Sequence, residues 1–474
     1  MDAELILTPG QENAFRAIKA FVDDENHKVF ILKGYAGTGK TTLMREVLHW
    51  LLKEKRPFSL LASTGRAAKI LSNKTGMEAR TVHSHIYKFT DLNQDLSKLT
   101  ELREQSEVDE TGQLYLNFEL HVVEAETETI YIIDEASMIS DVEDKTATQA
   151  IFGSGKLLTD LLRHDPKGKY IFVGDVCQLP PVMQQLSPAL TPEYILANFA
   201  KQPLVAELTE IVRQQEGNDI VQSAKLVRRL YSHPQPWKWA RFPMVGYRNI
   251  HLISSEMELV ADYINHIRQF GFNSATLLVQ SNRQSSDLTR IIRPALGFRS
   301  YGLEKGDLLL ITQNNYISGL MNGDLVCVTE VGVRERKAGL TFIKVEVQEL
   351  FTGRVCSQLL ILEILYQNLV NLSQPQQKEL FVDFFYRMKE KGIKQKSREF
   401  KEMMMSDPYL NAIRAVYGYA LTCHKAQGGE WDHVFLDIPR NLPGGQKPYV
   451  YQWVYTAMTR ASQELYVVRD FWTV

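Results

Sequence analysis

The sequence predicts an α/β protein of two doubly wound, parallel-sheet lobes, and three observations lead there. First, short apolar runs recur, each followed by glycine or an acidic residue and then a helical stretch: VFIL (29–32), SLLAS (59–63), IYII (130–133), YIFV (170–173), ATLLV (275–279) and HVFL (433–436). Strands buried on both faces read as continuous rather than alternating hydrophobic runs. Second, the runs fall into two blocks, 1–205 and 206–474. Third, 474 residues with 44% hydrophobic and 23% charged content describe a globular chain, long enough at roughly 150 residues per domain for about three domains.

Two segments interrupt the alternation. Residues 89–128 are polar and acidic, with a possible hairpin at Thr111-Gly112 leading into LYLNFELHVV, and read as a small β insertion in the first lobe. Residues 306–415 open with GDLLLIT, NGDLVCVTEV and TFIKVEVQEL, short strands of a small barrel, and continue into a charged helical stretch from about Gln374 to Tyr417. The expected division is therefore 1–88 and 129–205 for the first lobe, 89–128 for its insertion, 206–305 and 416–474 for the second lobe, and 306–415 for the second insertion. The run SHPQPWKWARFP (232–243) reads as a loop in which Trp237 and Trp239 pack locally.

Charge and cysteine content exclude several classes. Lys plus Arg is 54 against 56 for Asp plus Glu, a formal net charge of -2, so any polyanion-binding surface must be local. Arg283, Arg290, Arg293 and Arg299 make one such stretch, which a solvated helix face explains almost as well. Four scattered cysteines, Cys177, Cys327, Cys356 and Cys423, fit neither a disulfide scaffold nor a CxxC metal site. The opening MDAELILTPGQENAF has no signal-peptide pattern, and no apolar run is long enough to span a bilayer. A soluble, cytoplasmic protein without a membrane partner is expected.

Chemistry is announced by Gly34-Tyr35-Ala36-Gly37-Thr38-Gly39-Lys40-Thr41, a GxxxxGK[ST] loop between a strand candidate and the helical run TTLMREVLHWLL. Its backbone bends to aim N–H groups at phosphate oxygens, and the helix N-terminus, from Thr41 and Thr42 onward, adds partial positive charge. Lys40 is expected to reach the β- and γ-phosphates of ATP and Thr41 to ligate Mg²⁺. Asp134 and Glu135 end the strand IYII; Asp134 is placed to hold Mg²⁺ and Glu135 to polarise the attacking water. Hydrolysis is thus favoured over nucleotide storage.

Further blocks follow in order: Leu61-Ala62-Ser63-Thr64-Gly65-Arg66-Ala67-Ala68-Lys69, Thr81-Val82-His83-Ser84, Asp134-Glu135-Ala136-Ser137-Met138, Gly174-Asp175-Val176-Cys177-Gln178-Leu179-Pro180-Pro181-Val182, Leu208-Thr209-Glu210-Ile211-Val212-Arg213-Gln214, Ala420-Leu421-Thr422-Cys423-His424-Lys425-Ala426-Gln427-Gly428, and Val454-Tyr455-Thr456-Ala457-Met458-Thr459-Arg460-Ala461. With the phosphate loop they resemble, over nearly the whole chain, the ordered motifs of superfamily 1 helicases, in particular the 5′→3′ branch that includes RecD and the phage Dda helicase.

The resemblance implies RecA-like lobes, an SH3-like barrel with a helical arm in the second insertion, and a pin in the first. It implies that Gln11 reads the adenine edge and that Gln178 senses the γ-phosphate. Arg213 and Arg460 then reach that phosphate from the second lobe, with Gly428 and Glu430 near the triphosphate and ribose. Gly34, Ala36, Gly37, Thr38 and Gly39 complete the nucleotide cradle. Arginine fingers are worth on the order of 10³–10⁵ in rate.

A single strand would be gripped by Ser63, Thr64, Gly65, Arg66, Thr81 and His83 on one lobe and by Asn282, Arg283, Thr422 and His424 on the other. Phe118 is a candidate pin wedge, with a small hairpin core as the plainer reading. The implied partners are single-stranded DNA and single/double-strand junctions. Single-strand-binding, replication or repair proteins are further candidates, and the motor itself would be a monomer. Two other readings stay open: a non-unwinding motor subunit of a nuclease or repair assembly, and an RNA helicase of the same superfamily, since backbone grip is shared and only 2′-OH contacts tell RNA from DNA.

Overall fold

A computed structural model describes residues 7–93, 96, 116–124, 128–143, 150–211, 218–234, 240–299, 302–315, 317–367, 371–440 and 448–474. The first lobe begins with α1 (Pro9–Asp23), β1 (Val29–Gly34), α2 (Lys40–Lys53), β2 (Phe58–Ala62), α3 (Gly65–Thr75), β3 (Ala79–Thr81) and α4 (Val82–Ile86). After β4 (Tyr87–Leu92) and β5 (Leu116–Leu120) it resumes with β6 (Ile130–Asp134), β7 (Ala150–Phe152), α5 (Leu157–His164), β8 (Lys169–Gly174), α6 (Pro192–Phe199) and β9 (Leu204–Leu208).

Six of these strands form one parallel sheet of order β3-β2-β6-β8-β1-β9. Its strands serve two cores, as the continuous apolar runs require. Phe30 and Leu32 pack with Ile18, Leu43 and Leu71 on one face, while Val29 and Ile31 pack with Ile86, Leu158 and Leu161 on the other. Thr8 caps α1 in a reciprocal capping box with Gln11.

The second lobe contains α7 (Ile220–Ser232), β10 (Ile250–Ile253), α8 (Glu256–Phe270), β11 (Ala275–Val279) and α9 (Asn282–Ala295). The second insertion follows: β12 (Leu308–Ile311), β13 (Leu325–Lys337), β14 (Leu340–Glu349), β15 (Val355–Ile361), α10 (Leu362–Tyr366), α11 (Gln374–Glu390), α12 (Arg398–Ser406) and β16 (Ala415–Tyr417). The lobe is completed by β17 (Leu421–Thr422), α13 (Cys423–Ala426), β18 (Trp431–Leu436), α14 (Tyr449–Met458) and β19 (Ala461–Val468). Its sheet is again parallel, in the order β10-β19-β18-β11-β17.

The second insertion is an antiparallel sheet of order β15-β14-β13-β12-β16, and a Leu360–Ile413 bridge brings its two edges together. Where it leaves the lobe, Arg293 is buried against Asp307, Nε to Oδ1 2.8 Å and Nη2 to Oδ2 2.9 Å. Arg293 therefore drops out of the basic stretch expected along α9: its charge is spent on a buried partner.

The first insertion is a three-stranded sheet, β4-β5-β7, whose third strand comes from residues beyond 128. The turn expected at Thr111-Gly112 lies outside the described residues, as do Trp237 and Trp239. Phe118 stacks on Phe152 at 4.7 Å and meets Phe89 at 5.5 Å, so it builds the core of this small sheet. The sheet leans on the arm formed by α11 and α12. Leu92 and Leu96 join one apolar cluster with Phe381, Phe384, Phe385 and Phe400. Leu96 N–H donates to Gln395 Oε1 at 2.8 Å, and Lys401 Nζ donates to the Thr90 carbonyl. No helix among the described residues is long and apolar enough to cross a membrane, and all four cysteines are free.

Candidate nucleotide and nucleic-acid sites

The parallel register lines the candidate residues along one edge of the first sheet. Ala62 pairs with Thr81 on one side and Asp134 on the other, and Lys33 pairs with Gly174. Ser63–Arg66, Thr81–His83, Asp134–Glu135, Asp175–Gln178 and the phosphate loop thus all leave the sheet at its carboxyl edge, where ligands of open α/β sheets bind. In the second lobe Val279 pairs with Thr422, so Asn282, Arg283, Thr422 and His424 emerge together in the same way.

The phosphate loop is shaped by two left-handed glycines, Gly37 (φ 80) and Gly39 (φ 74), which other residues adopt only at a cost. A Cβ on Gly34 would lie 2.8 Å from Lys40 Cγ and 2.9 Å from Thr38 Oγ1. Ala36 stands between these glycines in the loop. Lys40 curls over the loop, its ammonium donating to Gly34 O at 2.7 Å and Tyr35 O at 3.2 Å. The Thr41 hydroxyl, in the first turn of α2 beside Thr42, has no hydrogen-bond partner among the described residues. Gln11 is buried, and its amide donates to the carbonyls of Thr38 (3.3 Å) and Gly39 (3.2 Å) while Oε1 accepts from Thr8 N–H. It therefore braces the loop, both ends of its amide being engaged within the first lobe.

Asp134 and Glu135 sit side by side. Burial and the neighbouring Glu135 carboxylate push the Asp134 carboxyl up to about 7, against the pull of Lys40. Glu135 itself adopts φ 50, ψ 39, a left-handed conformation that non-glycine residues hold chiefly where surrounding structure enforces it. Gln178 Oε1 is buried without a partner among the described residues, and such an orphaned acceptor calls for one.

The other half of the site comes from the second lobe. Arg213 lies outside the described residues. Arg460 is 6% exposed and donates only to its own lobe: Thr456 O (3.0 Å), Gly429 O (3.1 Å) and Thr459 Oγ1 (3.3 Å). A buried guanidinium satisfied by carbonyls and a hydroxyl but facing no carboxylate among the described residues is electrostatically incomplete, and an arriving anion would complete it.

Three side chains of α14, two of them within the block 454–461 and Gln452 just ahead of it, hold the 175–179 loop of the first lobe. Gln452 Nε2 donates to Gln178 O at 3.2 Å, Tyr455 OH donates to Asp175 Oδ2 at 2.7 Å, and Thr456 Oγ1 accepts from Leu179 N–H at 2.9 Å. The Tyr455 oxygen also accepts from Ala36 N–H at 3.1 Å. One phenol thus joins the second lobe to both the phosphate loop and Asp175. The sequence signal was available: α14 is apolar nearly all round, and its Gln and Thr at 452 and 456 needed buried partners.

The candidate strand-binding residues divide. Thr64 caps α3 by accepting from Ala67 N–H at 3.2 Å, and Thr81 caps α4 by accepting from Ser84 N–H at 3.1 Å. Ser63 Oγ is buried without a partner among the described residues. His83 packs edge-on to Phe152 at 5.2 Å, and burial lowers the pKa of His424. Asn282 and Arg283 are exposed, Arg283 lying 4.0 Å from Asp287.

Gly65 and Arg66 instead face protein. A Cβ on Gly65 would come within 2.4 Å of Met321 Cβ. Arg66 stacks over Trp431 at 4.3 Å with Nη1 buried and unpartnered among the described residues, and burial lowers its pKa to about 10. Nearby, Gly428 (φ 75) abuts α3, where a Cβ would lie 3.2 Å from Ala67 Cβ, and Glu430 lies 3.9 Å from Lys74. These two therefore line the seam between lobes. Lys69 of α3 reaches further, pairing with Asp324 and, at 2.9 Å, with Glu349 of the inserted sheet.

Comparison with known proteins agrees with this layout. Residues 6–231 match the family model of an AAA domain, and residues 417–468 that of a UvrD-like helicase C-terminal domain. The chain is 25% identical over 454 residues to the ATP-dependent RecD2 DNA helicase of Deinococcus radiodurans, covering 93% of this chain and 47% of that protein. It is also 25% identical over 493 residues to an uncharacterized protein of Methanocaldococcus jannaschii, covering 95% and 37%. Over 79 residues, 16% of this chain and 18% of the relative, it is 43% identical to the ATP-dependent DNA helicase dda of Enterobacteria phage T4. The chain thus spans less than half the length of the curated relatives it matches. Its fold is that of the Pif1 helicase from Bacteroides in complex with ADP-AlF3 and ssDNA (TM-score 0.51, 17% identity, 99% and 94% coverage).

Proposed function

We propose that the chain is a superfamily 1 helicase similar to RecD2, an ATP-dependent DNA helicase that translocates 5′→3′ on single-stranded DNA and unwinds duplex. The observation that carries this reading is the seam: the hydrolytic residues stand on one lobe, Arg460 on the other, and α14 grips the loop that holds Gln178. A complete site therefore requires both lobes, and nucleotide turnover changes how they meet.

The residues fit a nucleotide, because the glycine cradle excludes side chains, Gln178 Oε1 is free to accept from the attacking water and Arg460 has no acidic partner among the described residues. Lys40 would hold the β- and γ-phosphates. Thr41 and Asp134 would hold Mg²⁺, which when bound supplies positive charge to the phosphate oxygens. Glu135 would orient and deprotonate the attacking water, with Gln178 beside it. Thr64, Thr81 and His83 on one lobe, and Asn282, Thr422 and His424 on the other, would alternate their grip on a single strand as the lobes close and open. The motor would work as a monomer on single-stranded tails and junctions, in DNA replication, recombination or repair.

Duplexes with a 5′ or a 3′ single-stranded tail, incubated with ATP and the purified chain, test this reading. Unwinding confined to the 5′-tailed substrate is expected. Unwinding confined to the 3′ tail reverses the polarity, ATP turnover without strand separation favours a non-unwinding motor subunit, and stimulation by RNA but not DNA transfers the activity to RNA.

A further inference from the structure

The arm carries a dense positive charge, most of it outside any ion pair among the described residues. Between residues 389 and 398 stand Lys389, Lys391, Lys394, Lys396 and Arg398 against a single acidic residue, Glu390, in a chain whose net charge is -2. All five cations are exposed. Of these five Arg398 is paired with Glu402 at 2.7 Å, and two further cations of the arm have structural work, Arg387 bound to Asp383 and Asp407 and Lys401 to the Thr90 carbonyl. None of the four lysines enters an ion pair among the described residues. Four like charges crowded together repel one another, and such crowding costs stability unless a polyanion answers it.

The segment is nonetheless held in place. Gly392 N–H donates to Lys389 O and Ile393 N–H to Met388 O, both at 2.9 Å. Ile393 packs against the apolar cluster shared with the pin, and Gln395 accepts from Leu96 N–H. Residues 393 and 395 thus anchor the loop between α11 and α12, while the lysines beside and between them stay exposed. The patch is fixed at the pin, beside Leu96 and Thr90, and not at Thr64, Thr422 or His424, where the sheets end.

We propose that Lys389, Lys391, Lys394 and Lys396 form a docking surface for the phosphate backbone of duplex DNA arriving at the pin. This rests on the reading of the chain as a DNA motor, and it adds a second, sequence-independent grip ahead of the single-strand site. Lysines at such a surface act as point charges whose binding releases counterions, so the contribution is strongly salt-dependent.

The test compares the full chain with K389Q/K391Q/K394Q/K396Q on two fluorescein-labelled probes, a forked duplex with a 5′ tail and the tail alone, from low to moderate KCl. The variant should bind the fork at least about tenfold more weakly, and the slope of log affinity against log salt should shrink by about 2–4, at roughly 0.9 for each phosphate that is no longer neutralised. Binding of the tail and its stimulation of ATP hydrolysis should be unchanged, and the matching Lys→Arg variant should retain fork affinity. Equal losses on fork and tail, or no loss on either, overturn the proposal. So does a lowered melting temperature with an unaltered salt slope, which would mean that the lysines serve the stability of the chain, as by neutralising the acidic stretch 101–110 of the sequence. If the wild-type chain shows no DNA-stimulated hydrolysis, the motor reading itself fails, an outcome distinct from any of these.

Discussion

Replacing Tyr455 by Phe deletes one oxygen atom from the seam between the lobes and leaves the ring packing in place. Two hydrogen bonds go with it, the 2.7 Å bond to Asp175 and the 3.1 Å bond from Ala36 N–H. Tyr455 is 3% and Asp175 1% exposed, so water does not readily take the vacated positions. A bond to a charged acceptor contributes roughly 1.5–3 kcal/mol and a neutral one about 0.5–1.5 kcal/mol. The sum, roughly 2–4 kcal/mol, falls on the contact between lobes and not on the core of either. At about 1.4 kcal/mol per tenfold, the closed arrangement should become rarer by one to three orders of magnitude. Steady-state ATP hydrolysis with saturating single-stranded DNA should then show kcat lowered by at least about tenfold, with KM for ATP moved less than about threefold. Binding of ADP should persist, since Gly34, Lys40 and Thr41 are untouched. An unchanged kcat, or a loss of kcat matched by a loss of folded protein, would refute the argument that this phenol couples the lobes.

Three other outcomes follow from single positions. Glu135→Gln should keep ATP affinity while turnover falls about 10²–10⁴-fold, the usual contribution of a general base; comparable loss of binding would remove Glu135 from that role. Gly428→Ala imposes a left-handed Cβ costing roughly 1–2 kcal/mol and drives it against Ala67 at 3.2 Å, so thermal unfolding should shift down and ATP turnover should weaken with it. His85 is held neutral, its pKa lowered to about 4 by burial and by His164, Arg80 and His121. The unfolded chain takes up that proton first, so the stabilisation is complete above the unfolded value near 6.5 and is lost as pH falls from there toward 4. After allowance for the ring's partial exposure, the loss is roughly 1–2 kcal/mol; in urea unfolding at pH 7.5 and 5, His85→Gln should flatten the difference by that order.

Much of this was visible in the chain because it is local. The runs at 29–32, 130–133, 170–173, 275–279 and 433–436 lie within strands of the two parallel sheets, and that at 59–63 overhangs its strand only by Ser63, since burial on both faces leaves its mark in continuous apolarity. The phosphate loop and the Asp134-Glu135 pair were equally plain. What escaped depends on which surfaces meet across space. Arg293 looked like part of a basic face because nothing nearby in sequence announces Asp307 as its partner. Arg66 stands in a motif associated with strand binding, yet Trp431, hundreds of residues away, claims its guanidinium. Gln452, and the contact that Thr456 makes with Leu179, are hidden in an apolar helix for the same reason. The strand at 150–152, too short to show a period, joins the pin only through its tertiary partner.

The bond from Lys69 to Asp324 and Glu349 has a mechanical corollary. The inserted sheet is covalently part of the second lobe, entering and leaving near Gly306 and Gly418 and tied to it by Arg293–Asp307, yet Lys69 also binds it to a helix of the first. It is spliced into one body and moored to the other. Any swing of the second lobe must either slip that mooring or bend the two splice points, the first of which carries two glycines at positive φ, Gly302 (φ 101) and Gly306 (φ 93), a conformation that suits a bend. The arm, and the small sheet β4-β5-β7 that leans on it, travel with whichever body wins, so this tether decides whether they stay still or shift as the lobes move.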